Sequence, residues 1–138
     1  MSKTVLIVDD NEHERQIFAR FLGFVGGSVL EAENGEEGLR MAREHLPDLV
    51  LLDLTMPVMD GWEALRRLRE DPLTGSIPVI ALTAHHLDRA VLEEAGFCAY
   101  LEKPIVPVRV MQEVERCIGR LHLEPVPAPS AAGVLRAS

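Results

Sequence analysis

A chain of 138 residues with 47% hydrophobic and 26% charged side chains has the composition of one globular domain, with enough surface to bury for a single core and hardly for two. Its formal net charge of −8 repels phosphate backbones, which argues against a nucleic-acid binder. No apolar run approaches the roughly 20 residues that span a bilayer, and a lone Lys3 ahead of a four-residue apolar run is no secretory signal.

The elements alternate in chain order. Runs of strand character occur at 4–8 (TVLIV), 28–32 (SVLEA), 48–53 (DLVLLD), 78–83 (PVIALT) and 98–103 (CAYLEK). Helical spacing separates them. The first helix carries a stripe of Ile17, Phe18, Phe21, Leu22 and Val25. The second, Glu36 to His45, places Leu39, Ala42 and Leu46 on one face and stops before Pro47. The third uses Trp62, Leu65 and Leu68; the fourth uses Leu87, Val91 and Ala95 and stops at Gly96. The fifth runs from about Pro107 on Val108, Met111, Val114, Ile118 and Leu121. Five strand–helix units in strict alternation predict an α/β fold, a parallel sheet covered by helices on both faces. The first, third and fourth strands are nearly continuous apolar runs, as double coverage requires. The predicted domain occupies 1–123, and a Pro- and Ala-rich tail follows at 124–138. Cys98 and Cys117 have no CxxC or metal-binding spacing and are expected as buried free thiols of a cytoplasmic, reducing-compartment protein.

Open α/β sheets bind ligands at the carboxyl ends of their strands, so what each strand delivers there is a functional test. The first delivers Asp9 and Asp10, the third Asp53, the fourth Thr83 and the fifth Lys103. Each has an ordinary explanation on its own. Asp10 or Asn11 could cap the first helix, Asp53 could open a turn before Pro57, and Thr83 could cap the fourth helix. Those roles do not account for three carboxylates and an amine arriving at one edge from separate strands. Two carboxylates ~4 Å apart cost about 4 kcal/mol at an effective dielectric of 20. Such a cluster raises a pKa or recruits a cation, and a few hard protein oxygens with room for water and phosphate suit Mg²⁺.

These residues resemble the receiver domain of bacterial two-component response regulators, of the stand-alone type. The resemblance covers about 3–121 and rests on DD after the first strand, LLDLTMPVMDG around the third, LTA after the fourth and YLEKP after the fifth. It implies a flavodoxin-like, doubly wound sheet of order 2-1-3-4-5 with five helices. It implies that Asp53 accepts a phosphoryl group from a phospho-histidine donor. Asp9, Asp10, Asp53 and the Thr55 carbonyl would serve a Mg²⁺ ion, Asp9 mainly through water. Thr83 and Lys103 would bind phosphoryl oxygens, Pro104 would follow a cis peptide bond, and Thr83 with Tyr100 would form the switch. Thr55 and His85 occupy the positions that tune the lifetime of the phosphoryl group. His86 is expected as a solvated residue at a helix start, and Trp62 as a packing residue. Implied partners are a sensor histidine kinase or histidine phosphotransfer protein and a downstream protein. A phosphorylation-dependent dimer would use the fourth helix, fifth strand and fifth helix. The protein would be a switch and no enzyme, signalling through partner binding or onward phosphotransfer, with no nucleic-acid or membrane partner.

Two rival functions share the α/β frame. A Mg²⁺-dependent phosphohydrolase of the haloacid-dehalogenase type wants D-x-D after the first strand, whereas Asp9 and Asp10 are adjacent. A flavin carrier wants a Ser/Thr-rich phosphate loop there, and acids would repel the flavin phosphate.

Overall fold

The computed structural model describes residues 3–24, 26–56 and 59–119; the expected tail at 124–138, and Val25 and Leu121 of the helix stripes, lie outside them. The elements follow in the order β1 (Thr4–Val8), α1 (Glu12–Phe24), β2 (Ser28–Ala32), α2 (Gly35–His45), β3 (Leu49–Asp53), α3 (Gly61–Glu70), β4 (Val79–Thr83), α4 (Arg89–Ala95), β5 (Ala99–Glu102) and α5 (Pro107–Ile118). The five strands form one parallel sheet in the order β2-β1-β3-β4-β5. The chain therefore steps outward to β2, returns past β1 and continues through β3, which makes the gap between β1 and β3 the point where strand order reverses.

The core has two layers because strand side chains alternate between faces. Leu6, Val8, Val50, Leu52, Val79 and Ala81 pack with Ala42 of α2, Ala64, Leu65 and Leu68 of α3, and Leu92 of α4. The alternate residues Val5, Ile7, Leu49, Leu51, Ile80 and Leu82 pack with Phe18 and Leu22 of α1 and Val110 and Val114 of α5. β3 and β4 are buried along their whole length, as their uninterrupted apolar sequences require.

Local chemistry sets the helix ends. Asn34, Asp60 and Asp88 accept amide hydrogen bonds as N-caps of α2, α3 and α4, and Pro107 stands at the start of α5, where its missing N–H is no loss. Gly96 closes α4 at φ +111°, a conformation that side-chain-bearing residues resist.

Four expectations change. The free thiols expected at Cys98 and Cys117 are a disulfide, joining the residue before β5 to the last turn of α5 across 19 positions of sequence. Sequence spacing does not show this pair, because α5 folds back along β5 and brings its far end over the strand's beginning. The face of α4 also differs: Leu92 is buried, while Val91 and Ala95 are exposed. α4 is only seven residues long and starts at Arg89, so its short turn against the sheet presents the position after Val91. In α5 Val110 is buried and Val108 exposed, and in α1 Ile17 is half exposed although Phe18 and Leu22 are buried.

Candidate functional site

Asp9 follows β1 and is held there by its own backbone, its N–H donating to the Ala32 carbonyl and its carbonyl accepting from the Arg15 guanidinium. Its Oδ1 accepts the Asn11 N–H at 2.9 Å. Asn11 in turn caps α1, its Oδ1 accepting the Glu14 N–H at 3.0 Å. Capping thus falls to Asn11, and Asp10 stands exposed at the sheet edge with its carboxylate left for the site. Asp53 ends β3 beside Leu82, almost wholly buried, and its Oδ1 accepts the Thr55 N–H at 2.9 Å. Carboxylate oxygens of Asp9, Asp10 and Asp53 all lie within 4.8 Å of one another.

Gly61 permits this geometry. A Cβ there would sit 2.5 Å from the Asp53 carbonyl oxygen and 2.7 Å from the Leu54 Cα, so the start of α3 closes on the end of β3 only with glycine.

Lys103 leaves β5 with its N–H on the Thr83 carbonyl at 2.7 Å, and its bond to Pro104 is cis, as expected. Its ammonium lies 3.0 Å from Asp53 Oδ2, 3.4 Å from Asp9 Oδ2 and 2.7 Å from Glu14 Oε1. Burial alone would lower the Lys103 pKa, but the Glu14, Asp53 and Asp9 carboxylates outweigh it and hold the ammonium above its ordinary value. Burial pushes the Asp9 carboxyl up to about 7, with the Asn11 amide and Lys103 pulling the other way and Asp53 adding to the rise. For Glu14, burial is outweighed by the Lys103 ammonium, which keeps its carboxyl below the usual value.

An acidic group that is fully covered and charges only near neutrality is a site short of positive charge. The donors are hard oxygens, so the Asp9, Asp10 and Asp53 cluster could hold a metal ion of the oxygen-preferring class.

Thr83 ends β4 next to Glu102 in register, one residue beyond the level of Asp53. Its hydroxyl is buried and turned onto the following loop, donating to the His85 carbonyl and accepting from the His85 N–H. Asp88, and not Thr83, caps α4. Tyr100 lies farther back, opposite Ala81, half-buried, with the Arg89 guanidinium 5.8 Å from its ring centroid. His86 is exposed and pairs with Glu102 at 2.6 Å. Trp62 packs edge-on against Phe97.

Asp9, Asp10, Asp53 and Lys103 are therefore brought together, with Thr55 on the loop that follows Asp53 and Thr83 on the neighbouring strand. Glu14 is the residue that sequence reasoning missed. Its place three residues after the Asn11 cap, on the first turn above the site, was the available signal.

A parallel sheet of this order, with an acidic cluster at its switch point facing a strand-end lysine, defines a receiver. The sequence matches the response regulator receiver domain over residues 5–115, and the chain belongs to that family. It is a phosphoacceptor signalling switch. It is 36% identical over 121 residues to the polar-differentiation response regulator DivK of Brucella anthropi, covering 86% of this chain and 98% of that protein. DivK of Brucella ovis matches with the same identity and coverage. Among solved structures, the Vibrio cholerae chemotaxis protein CheY4 superposes with a TM-score of 0.80 at 28% identity, covering 85% of this chain and 99% of CheY4. The receiver domain of the sensor histidine kinase PA1611 from Pseudomonas aeruginosa superposes with a TM-score of 0.78 at 30% identity, over 86% of this chain and 99% of that one. That domain has a magnesium ion coordinated in its active-site cleft. Among the described residues no helix is long and apolar enough to cross a membrane.

Proposed function

We propose that Asp53 is the phosphoacceptor, receiving its phosphoryl group from a phosphorylated histidine of a sensor kinase or phosphotransfer protein. In that step the phosphorus–nitrogen bond breaks and a phosphorus–oxygen bond to the Asp53 carboxylate forms. The departing imidazole keeps the bonding pair. The observation that carries this reading is the Lys103 ammonium 3.0 Å from a buried Asp53 carboxylate that shares an oxygen cluster with Asp9 and Asp10. Phosphoryl transfer depends on positioning and on neutralising charge, and these groups supply both.

Asp10, Asp53 and the Thr55 carbonyl would hold Mg²⁺, with Asp9 beside them; the magnesium site of the PA1611 receiver supports this choice of ion. When bound, Mg²⁺ would supply positive charge to the transferring oxygens. Lys103 would stay on one phosphoryl oxygen, and Thr83 would leave His85 to donate to another. Thr83 and Tyr100 form the proposed switch, carrying the change to α4, β5 and α5, the face on which a downstream protein or a second copy would dock. Residues 1–123 form the proposed receiver and 124–138 its tail, in a cytoplasmic protein whose own chemistry is limited to gaining and losing the phosphoryl group.

The test is intact-protein mass spectrometry after incubation with acetyl phosphate and Mg²⁺. One added phosphoryl group is expected, abolished in Asp53→Asn. Wild-type loading in that variant would overturn the assignment.

A further inference from the structure

Glu14 has no part in the reading above, yet it is the carboxylate nearest to Lys103, at 2.7 Å against 3.0 Å for Asp53 and 3.4 Å for Asp9. Its backbone is fixed by the Asn11 cap at the first turn of α1. Its Oε1 is buried without a hydrogen bond of good geometry, and the Lys103 ammonium at 2.7 Å is its principal counter-charge. An ammonium has three N–H donors. In the unphosphorylated protein three carboxylates surround this one. A phosphoryl group on Asp53 brings new oxygens to the same ammonium, and one existing partner has to yield. The side chains of Asp9 and Asp53 are 0% and 4% exposed, that of Glu14 37%. Water can take over Glu14 at the smallest desolvation cost.

We propose that Glu14 is a positioning residue for Lys103. It holds the ammonium between α1 and Asp53 in the unphosphorylated state and competes with the incoming phosphoryl oxygen for it, which slows the loading of Asp53. Its negative charge beside the site also disfavours an anionic donor. The inference rests on Asp53 being the phosphoacceptor.

The experiment compares the wild type with Glu14→Gln and Glu14→Asp in two measurements. The first is the rate of Asp53 loading by acetyl phosphate with saturating Mg²⁺. There the phosphorus–oxygen bond to acetate breaks, one to Asp53 forms, and acetate leaves with the bonding pair. The second is the Nζ and Cε chemical shifts of Lys103 in the unphosphorylated, metal-free protein. Glu14→Gln should load about 3- to 10-fold faster at low ionic strength, and much of that advantage should survive near 1 M salt, because a 2.7 Å contact to a buried oxygen is screened far less than an exposed pair even where the Debye length is ~3 Å. Its Lys103 signals should move, and those of Glu14→Asp should return towards the wild-type position. Wild-type or slower loading in Glu14→Gln, or unmoved Lys103 signals, would overturn the proposal. Asp53→Asn keeps the two readings apart: loading that persists in it removes the phosphoacceptor assignment. Loading confined to Asp53 together with a silent Glu14→Gln removes only the role of Glu14.

Discussion

The Thr83 hydroxyl donates to the His85 carbonyl and accepts from the His85 N–H, each at 3.0 Å. Both bonds lie within the loop after β4, and both point the hydroxyl at the backbone that leads to α4. For Thr83 to donate to a phosphoryl oxygen on Asp53, its bond to the His85 carbonyl has to break, so the phosphoryl group and this loop carbonyl compete for the one hydroxyl proton.

Thr83→Ala should therefore keep phosphorylation of Asp53 while losing its consequences. Chemical-shift changes on phosphorylation should spread through 85–118 in the wild type and stay near residues 53–56 in Thr83→Ala. Tyr100→Ala should behave alike for partner binding, since the ring is the half-buried apolar group along this path. Equal spreading in wild type and Thr83→Ala would break the proposed link.

Asp9 makes stability depend on pH. Its folded pKa of about 7 lies above the ordinary 3.8, so between these values the native state binds more protons than the unfolded chain. Stability from this group is fully present below about pH 4 and is lost as pH rises through 7, an effect on the order of 2–4 kcal/mol. Metal-free Asp9→Asn should gain stability over wild type at pH 8 and lose most of that gain at pH 5, by urea denaturation. Mg²⁺ should stabilise the wild type more at pH 8 than at pH 6, because a carboxylate must shed its proton to serve a metal. A pH-independent difference between the two proteins would remove Asp9 as the source.

Gly61→Ala should disturb both fold and site, since its Cβ would meet the Asp53 carbonyl oxygen at 2.5 Å. Backbone has to shift to relieve that contact, at a cost of about 1–3 kcal/mol. A lower denaturation midpoint together with slower loading of Asp53 is expected. Gly23→Ala, where an added Cβ meets nothing within 4 Å, is the matched control and should leave loading unchanged.

The Cys98–Cys117 disulfide closes a loop across 19 sequence positions, worth about 3 kcal/mol in the chain-entropy description. Reduction, or Cys98→Ala with Cys117→Ala, should lower stability by that order while leaving the Asp53 site intact. Alkylation of the unreduced protein followed by mass spectrometry should find no free thiol, and two labels there would disprove the bond.

The sheet and most of the site were legible in the residues alone because both follow from local rules. Apolar runs of strand length alternating with helical spacing leave few arrangements besides a doubly covered parallel sheet, and such a sheet presents its strand ends along one edge. Asp9, Asp10, Asp53, Thr83 and Lys103 could therefore be placed by their position after a strand, with the receiver resemblance supplying strand order and roles. What the tertiary structure alone decided depends on distances between elements far apart in the chain. Glu14 approaches Lys103 because α1 and α5 cover the same face of the sheet, so the first turn of α1 lies beside the β5–α5 connection that carries Lys103, and Cys98 meets Cys117 because α5 runs back along β5. Leu92 faces inward in place of Val91 because a seven-residue helix is oriented by the surface it packs on more than by its own periodicity. The Thr83 hydroxyl closes on His85 through a rotamer and a loop conformation that composition does not encode. Periodicity acts over one turn of helix or two residues of strand. Packing, pairing and pKa act through space, and only the folded chain assigns their partners.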